Sequence, residues 1–210
     1  MKSRYLDENE CKRLHEVLRP DEWLPLWVSL ETGLRVGDVV ALKRSNVRVD
    51  GIHYRAQKTR KNGIAPISAE LRRELLARRG KWLFPSKKDK TKHITRQAVW
   101  ARVKRGARNA NIDLEGASPH AMRKSFAVEL YRDKGFKAVQ EALQHHNGAT
   151  TEIYSFADWS TGENADKPLT RRDMQLLVKM VIEALGGATF GEGAKESRGK
   201  KKSSTKSSRV

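Results

Sequence analysis

The sequence predicts an α+β fold, mainly helical, with a small antiparallel sheet at one edge. Over most of the chain apolar residues recur every three or four positions behind recognisable helix starts, and between Val47 and Ile67 the period shortens to that of strands. A length of 210 residues, 38% of them hydrophobic, provides one substantial core with at most a small appendage.

Taken in order, Asp7 to Leu18 reads as a helix. Asp7 and Glu10 have capping-box spacing, and Cys11, Leu14, Val17 and Leu18 share a face. Pro20 ends it, and a more apolar helix runs from Asp21 through Leu30, with Pro25 tolerated near its start. Thr32-Gly33-Leu34 breaks that pattern, and Arg35 opens a short helix with Val36, Val39, Val40 and Leu42 inward. Strands are expected at Val47–Val49, Ile52–Ala56 and Ile64–Ile67, with turns at Asp50-Gly51 and Asn62-Gly63. The tip between the last two, Lys58 to Gly63, carries three cations. Ser68 caps the next helix, Trp82 to Pro85 anchors a basic loop from Lys87 to Lys92, and Thr95 caps a helix running to about Ala110. On that helix Val99, Trp100 and Val103 form an apolar strip, backed by Arg96, Arg102, Lys104, Arg105 and Arg108. Ser118-Pro119 starts a helix that stops at Gly135, and a short one follows from Lys137 to Leu143. Thr150-Thr151 caps a turn containing Tyr154, and Thr170 with Asp173 opens a last helix that ends at Gly186-Gly187. Beyond that, seven Lys and Arg stand against two Glu without periodicity, the composition of a disordered basic tail.

Composition narrows the class of partner. The formal net charge of +18 makes the compact state self-repelling unless a polyanion neutralises it. Cys11 is the only cysteine, which excludes an internal disulfide and every multi-cysteine zinc pattern and fits a reducing, cytoplasmic location. No apolar stretch approaches the roughly 18 residues of a membrane span. The N-terminus runs straight into a charged helical pattern, so neither secretion nor membrane insertion is expected.

One stretch concentrates chemistry. At the start of the Ser118 helix, His120 and Arg123 are three residues apart, hence neighbours on one face near the positive end of the helix dipole. A phosphate fits there, although a bare His-x-x-Arg is more often a solvated face. Arg35, at another helix start, is a second guanidinium that can grip phosphate with paired donors. Taken singly, Lys58 reads as a solvated hairpin cation, His145 as a loop histidine and Tyr154 as a half-buried tyrosine.

Together, in this order, these segments resemble the catalytic domain of the tyrosine recombinases, the phage integrase family. Thr32-Gly33-Leu34-Arg35-Val36-Gly37-Asp38 looks like the family's first arginine box, Lys58 like its hairpin lysine, and His120 with Arg123 like its His-x-x-Arg box. Leu143-Gln144-His145 followed by Thr150 to Tyr154 resembles the last box, in which the nucleophile lies nine residues after the histidine; that spacing selects His145 over His146. The chain departs from the common pattern at Gln144, Gly37 and Lys124, and none of these removes a catalytic group.

The resemblance implies the family's catalytic fold and a site of Arg35, Lys58, His120, Arg123, His145 and Tyr154. It implies site-specific cleavage and rejoining of double-stranded DNA through a 3′-phosphotyrosine, without metal, ATP or other cofactor, by a dimer or tetramer on DNA. Two other readings stay open at this point: a DNA-binding protein of the same fold that recombines little or nothing, and a DNA-relaxing enzyme of the type IB topoisomerase kind. The expected organisation is a catalytic domain over residues 1–187, with its C-terminal helix at about 170–186, then the tail over 188–210. The N-terminal helical domain that usually precedes the catalytic one is expected to be absent from this sequence.

Overall fold

Side-chain caps decide where several helices begin. In the computed structural model, which describes residues 4–143, Asp7 Oδ1 accepts the Glu10 N–H at 2.8 Å and the Glu10 carboxylate accepts the Asp7 N–H at 3.2 Å, starting α1 (Glu8–Val17). Pro20 occupies the first turn of α2 (Pro20–Thr32), and Arg35 precedes α3 (Val36–Val40). After the sheet, Ser68 Oγ accepts the Leu71 N–H at 3.1 Å to start α4 (Ala69–Leu76), and Thr95 Oγ1 accepts the Ala98 N–H at 3.1 Å to start α5 (Arg96–Asn109). The longest helix, α6 (Pro119–Ala142), is broken at Gly135, whose φ of 76° only glycine adopts readily. The helix expected at 170–186, the tail, His145 and Tyr154 lie outside the described residues.

Between α3 and α4 a three-stranded antiparallel sheet, β1 (Val47–Arg48), β2 (Gly51–Arg55) and β3 (Asn62–Ala65), is ordered β1-β2-β3. The first turn forms one residue earlier than expected, at Val49-Asp50: Gly51 already pairs with Arg48 as the first residue of β2, has φ 136°, and a Cβ there would meet the Ala65 carbonyl oxygen at 2.4 Å. Asn62-Gly63 does not form the second turn. It lies within β3, Asn62 opposite Arg55 and Gly63 opposite Tyr54, while the left-handed position of the tip falls to Arg60 at φ 59°. The physical reason is register. Ile52 and Ala65, both buried, face each other across the strands, and a two-residue turn at Asn62-Gly63 would slide Ile52 past the end of its partner.

One core joins the helices to the sheet through Leu14, Leu26, Val28, Val39, Ile52, Leu71, Leu83, Val99, Val103 and Met122, all fully buried. Each contributes about 1.5–3 kcal/mol by leaving water. Trp100 departs from expectation: the buried strip of α5 is Val99, Val103, Gly106 and Ala107, and Trp100 is 49% exposed. α2 and α5 are pinned by Glu22, whose carboxylate accepts from Arg19 Nη2 at 2.8 Å and from Arg105 Nη2 at 2.7 Å. Burial alone would raise the pKa of this carboxyl, but the two guanidiniums hold it down at about 2. On the far side of α6, Ser125 Oγ donates to Leu6 O at 2.6 Å and accepts the Leu6 N–H at 3.0 Å, clamping the N-terminal segment onto the helix.

Among the described residues no helix is long and apolar enough to cross a membrane.

Candidate active site

The Thr32-Gly33-Leu34 turn is built to expose one carbonyl. Gly33 closes α2 at φ 64°, its N–H bonded to Ser29 O at 2.9 Å. Thr32 Oγ1 donates to Val28 O at 2.5 Å and accepts the Leu34 N–H at 3.2 Å, while Ser29 Oγ donates to Leu34 O at 2.8 Å. A Cβ on Gly33 would stand 2.5 Å from the Phe126 ring, so glycine also sets how closely α2 approaches α6.

Arg123, on α6 one turn before Phe126, uses that approach. The residue is 3% exposed; its Nη1 donates to Gly33 O, and Nη2 donates to Leu143 O at 3.2 Å. A single buried cation thus joins the turn that leads into Arg35 to the carbonyl immediately before Gln144 and His145. A planar fork with donors on two arms can span these acceptors, whereas an ammonium cannot hold both in fixed geometry.

His120 lies one turn nearer the start of α6, at the surface of the site. Burial within the surrounding protein, then the cations Arg123, Lys124 and Arg35, pull its pKa down from 6.5 to about 4. The charges of both Arg35 and Arg123 thus reach His120. The expected Ser118 cap does not form. Ser118 is extended at φ −154°, its backbone oxygen takes the Ala121 N–H at 2.9 Å, and its hydroxyl is buried without a partner among the described residues.

Lys58 is exposed on the hairpin tip, and its placement depends on the residue before it. The Gln57 N–H donates to Asp38 Oδ1 at 2.9 Å, and Gln57 Nε2 donates to Gly37 O at 2.9 Å. The base of the tip is therefore stapled to α3, the helix that Arg35 begins. A side chain on Gly37 would press on Arg96 Cδ at 3.3 Å and approach the Gln57 amide at 3.7 Å.

Two residues that sequence reading passes over belong here. Asp38, 7% exposed, holds the hairpin; a carboxylate three positions after Arg35 on an otherwise apolar helix is the signal that points to it. Tyr54 on β2 is half-buried. Burial raises its phenol above the usual tyrosine value, with Arg123 and Arg35 opposing the rise and Asp38 adding to it, so it stands among the site's charges. Strand alternation alone gives no sign of that. Arg35, His120 and Arg123 are brought together, Lys58 is tethered to the same helix, and His145 and Tyr154 fall beyond the described residues.

Comparison with known proteins bears on the family and the fold. The sequence profile of the phage integrase family matches residues 4–159. Tyrosine recombinase XerD of Pasteurella multocida (strain Pm70) is 35% identical over 138 residues, which cover 59% of this chain and 46% of that protein. The chain thus spans about half the length of such relatives. The crystal structure of XerA recombinase superposes with a TM-score of 0.59 and 25% identity over 84% of this chain and 62% of that one. The catalytic domain of bacteriophage HP1 integrase does so at 0.59 and 24%, over 80% of this chain and 100% of that one.

Proposed function

This chain belongs to the phage integrase family, and we propose that it is a site-specific DNA recombinase that cleaves and rejoins strands through a covalent bond to Tyr154. The observation that carries the reading is Arg123. Its donation to Gly33 O and Leu143 O gathers three segments, remote in sequence, around one cation beside Arg35 and His120.

The chemistry follows from the charges. Attack on a phosphodiester builds negative charge on the non-bridging oxygens, and fixed guanidiniums at Arg35 and Arg123 stabilise it without reorganising. A tyrosine of pKa about 10 costs about 4 kcal/mol to ionise at pH 7, a cost that neighbouring cations and a base reduce. In the proposed step Tyr154 Oη bonds to phosphorus, the bond to the 5′-oxygen breaks, and Lys58 gives that oxygen its proton. His120 and His145 hold the phosphate, and one of them takes the phenol proton of Tyr154. The phosphotyrosine conserves the energy of the broken linkage, so a 5′-hydroxyl from another duplex reseals it without a nucleotide. Each site opens one strand, so a complete exchange between two duplexes needs several copies of the chain on DNA. Residues 1–187 form the catalytic unit in this reading, and the basic face of α5, the Lys87–Lys92 loop and the tail over 188–210 add contacts to phosphate.

The test is a pool of nicked suicide duplexes randomised around the nick, incubated with the full chain in EDTA. Detergent-resistant protein–DNA adducts are expected from the wild type and none from Tyr154→Phe, which still binds DNA. Binding without adducts would leave a DNA-binding protein only, and an adduct that required a divalent ion would overturn the metal-free mechanism.

A further inference from the structure

α5 presents an unusual stripe beside the candidate site. Arg96, Trp100 and Lys104 are each four residues apart and share a face; Trp100 is 49% exposed, and Lys104 Nζ lies 5.5 Å from the centre of its ring. Next to that ring is a cleft of about 390 Å³ between α5 and the starts of α3 and α6. Trp100, Val36 and Pro119 give it apolar walls, and Arg96, Ser118 and His120 its polar edge. The Ser118 hydroxyl, buried and without a partner among the described residues, belongs to this lining. Buried hydroxyls are ordinarily hydrogen-bonded, so one left unsatisfied in a cleft marks a place where an incoming polar atom is favoured.

These features define the ligand's chemistry. An exposed indole face and apolar walls accept a flat, weakly polar ring, the hydroxyl accepts a hydrogen bond from it or donates one to it, and the Arg96 guanidinium at the edge accompanies an anionic group. An apolar peptide would satisfy the walls and waste the guanidinium, whereas a free phosphate would use the guanidinium and leave the indole bare. A nucleoside joined to a phosphate uses all of them, and the volume lies within the range of about 300–1,000 Å³ typical of small-ligand sites. His120 belongs to both the cleft and the proposed phosphate site, so a phosphate held there directs its attached nucleoside toward Trp100.

We propose that this cleft is a nucleoside subsite: Trp100 takes the flat face of the nucleoside adjoining the phosphate held at His120, and Ser118 and Arg96 take its polar edge, so the cleft selects the nucleotide beside the cleavage point. The inference rests on the recombinase reading for which phosphate is held, but the contact with Trp100 is measurable without catalysis. The full chain labelled with 5-fluorotryptophan gives five fluorine signals, one per tryptophan, and the Trp100 signal is the one lost in Trp100→Phe. On titration with duplexes from the adduct-selected pool, or with a generic duplex if no adducts form, that signal is expected to shift and saturate together with DNA binding. Trp100→Ala is expected to bind about tenfold more weakly, the order of one lost base–aromatic contact. Its adducts, sequenced, lose base preference at the position beside the nick and keep it elsewhere, whereas Trp100→Phe keeps both. A Trp100 signal unmoved at saturating DNA overturns the subsite, as does an unchanged base preference in Trp100→Ala. Absence of adducts with a shifted Trp100 signal overturns the recombinase reading and leaves the subsite standing.

Discussion

Replacing Asp38 by alanine tests whether the hairpin clasp sets the position of Lys58. The carboxylate accepts the Gln57 N–H at 2.9 Å, and the Gln57 amide still reaches Gly37 O at 2.9 Å without it, so the tip loosens but does not detach. A hydrogen bond to a charged group is worth about 1.5–3 kcal/mol. If that energy is spent in holding Lys58 against the leaving oxygen, its loss slows cleavage by about ten- to a hundredfold. Asp38→Asn keeps an acceptor oxygen and loses less. The assay is single-turnover adduct formation on a selected duplex, compared with the same duplex carrying sulfur at the 5′ bridging position. A thiolate leaves without a proton, so the sulfur substrate should rescue Lys58→Ala fully and Asp38→Ala in large part. Equal slowing of both substrates by Asp38→Ala would refute the clasp as a device for placing the acid.

Three further outcomes follow from the same structure. Gly33→Ala places a methyl against Phe126 at a left-handed position and should cost about 2–5 kcal/mol, read as a drop in thermal midpoint. Glu22 has a folded pKa of about 2 against an ordinary 4.5, so its contribution is complete above pH 4.5 and is lost as pH falls through 2. Glu22→Gln should destabilise by about 1.5–3 kcal/mol at pH 7 in denaturant titrations, and the gap to the wild type should shrink across that window. His120 is depressed to about 4 by protein and cations, and an added phosphate opposes the cations. DNA binding should therefore take up protons between pH 6.5 and 4 and tighten as pH falls, with the uptake lost in His120→Asn; calorimetry in buffers of different ionisation heat measures it.

Local rules carried much of the fold. Asp7, Ser68 and Thr95 start their helices as their side chains allow, Gly33 ends α2, and Gly135 breaks α6. What stayed hidden depends on partners distant in sequence. Asn62-Gly63 has the strongest local turn signal in the hairpin, yet the pairing of Ile52 with Ala65 decides the register. Ser118 has the right type for a cap and stands at the helix start, but its hydroxyl makes no bond to the first turn. Trp100 has helical spacing with Val99 and Val103, and only the packed neighbours of α5 show that its face is left open. At the site, helical spacing related His120 to Arg123, and Arg35 joined them only through the resemblance to the family's boxes. Neither could reveal that Arg123 ties the first box to the chain entering the last, or that Asp38 and Tyr54 sit among them, because those relations cross from α6 to α2 and from β2 to α3.

In the proposed reaction this cluster of cations serves a tyrosine that bonds to DNA, and two tyrosines compete for the role. Tyr54 stands beside Arg35 and Arg123, but burial raises its phenol above the ordinary value, which disfavours its anion; Tyr154 lies nine residues beyond His145. Proteolysis of the trapped adduct followed by mass spectrometry of the nucleotide-bearing peptide identifies the residue directly. A phosphonucleotide is expected on Tyr154, unaffected by Tyr54→Phe. A nucleotide on Tyr54, or on any other side chain, would contradict that reaction.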